Sequence, residues 1–221
     1  MSIDVKKLAE KFGKPLSATL SIDLSKGDPA YAKWLLASIL YSKPMPEEAA
    51  IGAYETLEHR SQTSPNAIID AGWDQIVKVL EKNGYTRYDY TIASEIIDAF
   101  KDLIKRYDGK LSRLYDSSGD SKDLERRIKT LGRGLNPVAV SVFLRDMRQV
   151  WPKAEPEPAP RVRELMNTLD IDDLREYASE HGIDLIRLET ALCRYTRDQI
   201  VSQRAATDKK WREKFRPPAM R

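Results

Sequence analysis

The sequence predicts an all-α protein. Apolar residues recur at spacings of three and four almost throughout, no segment alternates apolar and polar residues over strand length, and the breaks fall at prolines and capping residues. With 221 residues and 41% hydrophobic composition, the chain is long enough for one sizeable core or two small lobes. There is no internal repeat.

The elements follow in order. Residues 28–41, DPAYAKWLLASILY, open with Asp28 as the expected N-cap and Pro29 in the first turn, then turn almost wholly apolar, which predicts a buried helix. Pro44 and Pro46 stop it, and PEEAAIGAYETLEHR restarts a helix with acidic residues in its first turn, so a tight corner is expected from Ser42 to Pro46. Ser64-Pro65 opens a short helix, NAIIDAGW. A second one, WDQIVKVLEKNG, stops at Asn83-Gly84. TIASEIIDAFKDLIKRYDG carries Ile92, Ile96, Ala99, Phe100, Leu103 and Ile104 on one stripe. DSSGDSKD, residues 116–123, reads as a flexible loop, and LERRIKTL as a helix leading to a glycine-rich turn. WPKAEPEPAPR, from Trp151 to Arg161, is a proline-stiffened crossover, after which amphipathic helices return.

Charge and cysteine usage narrow the functional classes. Lys and Arg number 37 against 34 Asp and Glu, a formal net charge of +3. From Gln199 to Arg221, seven basic residues stand against Asp208 and Glu213, a local +5 that leaves the rest of the chain near −2. Cys193 is the only cysteine, so the chain alone builds no disulfide, no four-cysteine zinc site and no cysteine-held iron-sulfur cluster. The N-terminus MSIDVKKLAEKFG lacks a long apolar core and no stretch reaches the length of a membrane span. The expectation is an intracellular protein, cytoplasmic or nucleoid-associated, with no membrane partner.

The richest stretch is KTLGRGLNPVAVSVFLRDM, residues 129–147. Asn136 followed by Pro137 is a helix entry, while Gly132 and Gly134 allow positive φ or a close approach of two backbones. Two helices around this turn make a helix-hairpin-helix. Backbone N–H groups from Gly132 to Asn136, with Leu135 among them, would receive a phosphate oxygen, and Arg133, Arg145 and Arg148 would add charge. A short glycine loop also serves simply to join packed helices.

Residues Leu35 to about Leu165 resemble the core of the helix-hairpin-helix DNA glycosylase superfamily, which includes endonuclease III and archaeal 8-oxoguanine glycosylases. Four pieces match in order: LLASILYSKPM, NGYTRYDYTIASEIIDAF with DGKLSRL, IKTLGRGLNPVAVSVFLRDM, and the crossover into PRVREL. The resemblance implies a two-lobed all-α fold that bends DNA and extrudes a base into the cleft between lobes. It divides the chain into an N-terminal segment 1–27, a helical lobe 28–115, the hairpin and crossover 116–160, and C-terminal helices with a basic tail 161–221.

The departures from the family are chemical. Val138 stands where bifunctional members have their Schiff-base lysine, so lyase chemistry through that position is excluded, and the neighbouring Lys129 reads as a solvated helix residue. The family aspartate falls at Ala159, between Pro158 and Pro160. Glu157 is the best catalytic carboxylate left, in a run EPEPAP that also reads as a solvated acidic spacer. Lys43 occupies the place of the wedge residue at the first corner. With Cys193 alone, the iron-sulfur cluster that many endonuclease III relatives have after the core is not expected, and the resemblance allows a monovalent cation at the hairpin.

Asp146 falls on the apolar stripe of its helix and is expected to be buried against a partner such as Arg161. Tyr85, Tyr88 and Tyr90 with Arg87 either stack on nucleic acid or pack between lobes. His59 and His181 are too isolated for a metal site, and Trp211 with Phe215 either grips DNA or packs the tail. The expected function is that of a monomeric DNA glycosylase-like protein acting on damaged or distorted double-stranded DNA, monofunctional if active. The alternatives are a catalytically silent protein that binds distorted DNA and a helical protein-interaction module.

Overall fold

A computed structural model describes the backbone of residues 3–214 and the side chains of residues 3–207. The tail cations from Lys209 onward, and Trp211 and Phe215, lie outside the described side chains. Every regular element among the described residues is helical, as the apolar spacing predicts.

The N-terminal segment folds as α1 (Val5–Phe12), α2 (Leu16–Thr19) and a short 3-10 turn at Leu24–Lys26. The buried helix α3 (Asp28–Tyr41) is the axis of the molecule: Trp34, Leu35, Leu36, Ala37, Ile39 and Leu40 have no exposed surface. Each large apolar side chain so buried contributes about 1.5–3 kcal/mol. Its cap differs from expectation. Gly27, at φ 75°, precedes the helix, while the Asp28 carboxylate reaches across to accept from the Ser112 N–H at 2.8 Å and its hydroxyl at 2.5 Å.

The corner Ser42–Pro46 leads into α4 (Glu47–His59). The two short helices read from 65–84 form α5 (Pro65–Lys82), broken at Gly72, whose φ of 76° and ψ of 167° lie outside the helical range. Helix α6 (Asp89–Tyr107) packs along α5 and buries Ile92, Ile96, Ala99, Phe100 and Leu103 completely. The expected flexible loop after α7 (Leu111–Asp116) is shorter than read and is pinned: the Lys153 ammonium donates to the carbonyls of Tyr115 at 2.8 Å and Ser118 at 2.6 Å. Asp120 then caps α8 (Ser121–Lys129), accepting from the Asp123 N–H.

Helix α9 (Pro137–Met147) begins at the predicted cap, with Asn136 Oδ1 accepting from the Val138 and Ala139 N–H groups at 3.0 Å each. It packs on α3, where the Trp34 indole donates to the Phe143 carbonyl at 3.0 Å. The crossover is anchored by Trp151, 3% exposed, which stacks on Tyr115 and meets Tyr31 and Phe143 edge-on. Helices α10 (Pro160–Thr168) and α11 (Leu174–His181) lie against the long α12 (Leu185–Lys214), and α1 runs along the same helix. Arg194 of α12 ties these parts together, donating to Glu47 at 2.8 Å, the Phe12 carbonyl at 2.7 Å and Thr19 Oγ1 at 3.1 Å.

Candidate functional site

The hairpin explains its own glycines. Gly132 has φ 61°, and a Cβ there would lie 2.6 Å from the Asp98 carbonyl carbon and 2.7 Å from the Ala99 nitrogen. Only glycine lets the turn lie this close to α6. The Gly132 N–H donates to Asp102 Oδ2 at 3.2 Å, Gly134 N–H to the Leu131 carbonyl at 3.0 Å and Leu135 N–H to the Lys129 carbonyl at 2.9 Å. These N–H groups, read from sequence as free for a phosphate, are therefore taken within the protein, and two carboxylates border the turn.

Arg133 projects with its side chain 78% exposed, its Nε 2.5 Å from Asp98 Oδ2, and an exposed pair of this kind holds weakly against a competing anion. The Lys129, Thr130 and Leu131 carbonyls each already accept a donor, from Leu135, Arg106 and Gly134 respectively.

Arg145 and Arg148 do not reach the surface as expected. Arg145 is 2% exposed and Asp146 is completely buried, with Arg145 Nε 3.0 Å from Asp146 Oδ1. The second Asp146 oxygen accepts the Ser17 N–H at 2.9 Å, so this carboxylate docks the N-terminal segment. Burial pushes the Arg145 guanidinium toward neutrality, but Asp146, Cys193 and Glu189 together outweigh it and hold the group charged. The partner read for Asp146, Arg161, instead lies on the surface beside Glu164 at 2.6 Å. Arg148 bonds to Glu189 through Nη1 and stands 3.6 Å from Glu155. Burial pushes the Glu189 carboxyl up, against the lowering pull of Arg148.

The positions set apart by resemblance converge elsewhere. Lys43 from the first corner, Val138 from the opening turn of α9 and Ala159 from the cap of α10 line one cavity of about 140 Å³. Its cations are Lys43, Arg161 and Arg197, and no carboxylate is among its lining residues. Lys43 is 15% exposed and donates to Glu95 at 2.7 Å.

Glu157 lies elsewhere. It borders a separate polar cavity of about 330 Å³ with Arg148, Glu155, Arg163 and Glu189, its side chain is 73% exposed, and its nearest cation is Arg163 at 4.0 Å. The chain turns into α10 at Ala159, leaving Glu157 in solvent on the far side of Pro158. The carboxylate offered as the catalytic candidate is therefore not part of the cavity that holds Val138 and Ala159.

The tyrosine cluster divides. Tyr85 is a core residue donating to the Leu40 carbonyl at 2.8 Å, Tyr88 is half-buried and meets Arg204 at 2.7 Å, and Tyr90 is exposed and stacks on Trp73 at 5.2 Å. His181 stacks on Tyr177, and among the described residues no His, Cys, Asp and Glu cluster suits a metal ion. No helix among them is long and apolar enough to cross a membrane. Sequence reading passed over Tyr41 and Arg197, both of which line the 140 Å³ cavity; their signal was only an arginine on the apolar face of α12 and a tyrosine ending α3. No protein-family model, no curated protein and no solved structure matches this chain.

Proposed function

We propose that this protein binds distorted double-stranded DNA and receives an extruded nucleotide in the cavity between Lys43, Val138 and Ala159, without cutting the glycosidic bond. The observation that carries the reading is the convergence itself. Three positions, picked out by resemblance from three separate segments, share one cavity wall lined by cations and free of carboxylates. Apolar Val138, Ala159, Val162 and Ile200 among its lining residues suit a ring.

The chemistry argues for holding rather than hydrolysis. Glycosidic cleavage builds positive charge at the anomeric carbon, which a carboxylate beside the sugar stabilises. No carboxylate is among the cavity's lining residues, and Val138 supplies no amine. Of the cations assigned to DNA from sequence, Arg133 and Lys43 keep this role, joined by exposed Arg161 and Arg204, whereas Arg145 and Arg148 serve the interior.

The test is anisotropy titration of duplexes carrying an abasic site, a mismatch or no lesion, across a salt series. The reading expects preference for the distorted duplexes and an affinity that falls with salt through counterion release. Val138→Trp, which fills the cavity, should abolish the preference while retaining salt-dependent binding. Indifference of the preference to this substitution would remove the cavity from the account.

A further inference from the structure

One face of α6 holds the donors that the hairpin and the first corner present. Glu95, Asp98 and Asp102 stand three and four residues apart, so their side chains share one side of the helix. Glu95 Oε1 accepts from Lys43 at 2.7 Å, and Asp98 Oδ2 accepts from Arg133 at 2.5 Å. Asp102 Oδ2 accepts from the Gly132 N–H at 3.2 Å and from Arg106 at 2.8 Å. Two segments far apart in sequence thus send Lys43, Gly132 and Arg133 to a single helix, and each meets its own carboxylate there. Glu95, Asp98, Arg133 and Gly134 also border one cavity of about 460 Å³, through which solvent and ions reach this face.

Resting on the reading of this protein as a DNA binder, we infer that Glu95 and Asp98 are an internal substitute for DNA phosphates, which holds Lys43 and Arg133 against α6 until a duplex displaces it. A carboxylate offers these cations what a phosphate offers them, a charged oxygen acceptor. Duplex binding is then an exchange of partners, and the exchange leaves two unpaired carboxylates facing the incoming phosphates. That repulsion sets the affinity below what the two cations would give by themselves. The two pairs are unequal. Arg133 is 78% exposed and its pair is easily exchanged, whereas the Lys43 and Glu95 side chains are 15% and 19% exposed, so their attraction is less screened and holds harder. A role confined to fastening α6 to its neighbours predicts the opposite sign, because removing either carboxylate would then loosen the fold and gain no affinity.

The experiment uses the full chain and two probes, a short duplex with an abasic site and inorganic tripolyphosphate. Asp98→Asn and Glu95→Gln remove the charge and keep the shape, and Asp102, which also holds the turn through Gly132, is left intact. Asp98→Asn should tighten duplex binding about threefold and Glu95→Gln about tenfold. In an Arg133→Gln background Asp98→Asn should lose most of its gain, and in a Lys43→Gln background Glu95→Gln should do the same, because no cation is left to release. An equal gain in both backgrounds is what removal of a nearby negative charge does unaided, and it would overturn the inference. Unchanged or weaker duplex binding by both variants would overturn it as well. The two claims fail separately. If no variant binds duplex while both tighten tripolyphosphate binding in the same cation-dependent way, the masking stands and the DNA reading falls. Duplex binding with additive cycles does the reverse, and no response to either probe rejects both.

Discussion

Val138 and Ala159 meet on the wall of one cavity, the first from the opening turn of α9 and the second from the cap of α10. Each is small and apolar, and neither side chain is an amine or a carboxylate. The cavity has no carboxylate among its lining residues, and its one amine, Lys43, is held by Glu95 at 2.7 Å.

Borohydride should trap no covalent complex between this protein and abasic duplex, because Val138 supplies no amine and Lys43, the lysine lining the same cavity, is paired with Glu95 as an ammonium. Gel analysis of the reduced mixture checks it. Glu157→Gln should leave duplex affinity unchanged within about twofold, since that carboxylate is solvent-facing and outside the cavity.

Gly132→Ala should destabilise the fold by about 2–4 kcal/mol in urea denaturation, because both the positive φ and backbone of α6 within 3 Å oppose a Cβ. Gly134→Ala, whose nearest contact would be the Lys129 carbonyl at 3.5 Å, should cost only its strained φ of 104°, about 1–2 kcal/mol. Equal losses at the two sites would contradict the packing described for the turn.

Asp146→Ala should cost about 3–5 kcal/mol, because it leaves the buried Arg145 charge unpaired and the Ser17 N–H without its acceptor. Joining it to Arg145→Met should cost clearly less than the two single losses together, and a double-mutant cycle reads the difference.

Asp123 sets an acid-side dependence. Its carboxylate, held by the Arg127 side chain first and then by the Gly119 N–H and Arg126, lies well below its ordinary value of 3.8. A depressed carboxyl stabilises the fold above its unfolded value, and that contribution is lost as pH falls below 3.8 toward the folded value. Asp123→Asn should therefore flatten part of the loss of stability seen between about pH 4 and pH 2, with little added slope near neutrality, when urea midpoints are compared across pH.

Much of the helical order was legible because it rests on local rules: the apolar run of α3, the Asn136-Pro137 entry to α9 and the stripe on α6 all occur where periodicity and capping put them. What escaped depends on tertiary neighbours. Asp28 has the chemistry of a cap, but Ser112 offers it two donors from another helix, and Gly27 takes the cap position. Burial of Asp146 follows from its stripe, yet Arg145 looked like a surface cation. Its guanidinium is drawn inward to the buried carboxylate of its neighbour. The Gly132 N–H looked free because nothing local shows that Asp102 reaches it from α6. Arg197 and Tyr41 were invisible for the same reason, since only the folding of α12 over the end of α3 brings them together.

The most direct measurement is a duplex panel carrying uracil, hypoxanthine, 8-oxoguanine, an alkylated base and an abasic site, scored in one reaction series for binding and for alkali-revealed base release. The account predicts tight, lesion-dependent binding that Val138→Trp removes, with no base released from any duplex. Release of a base by the wild-type protein, at a rate that Val138→Trp suppresses, would contradict it and show that the cavity carries out chemistry.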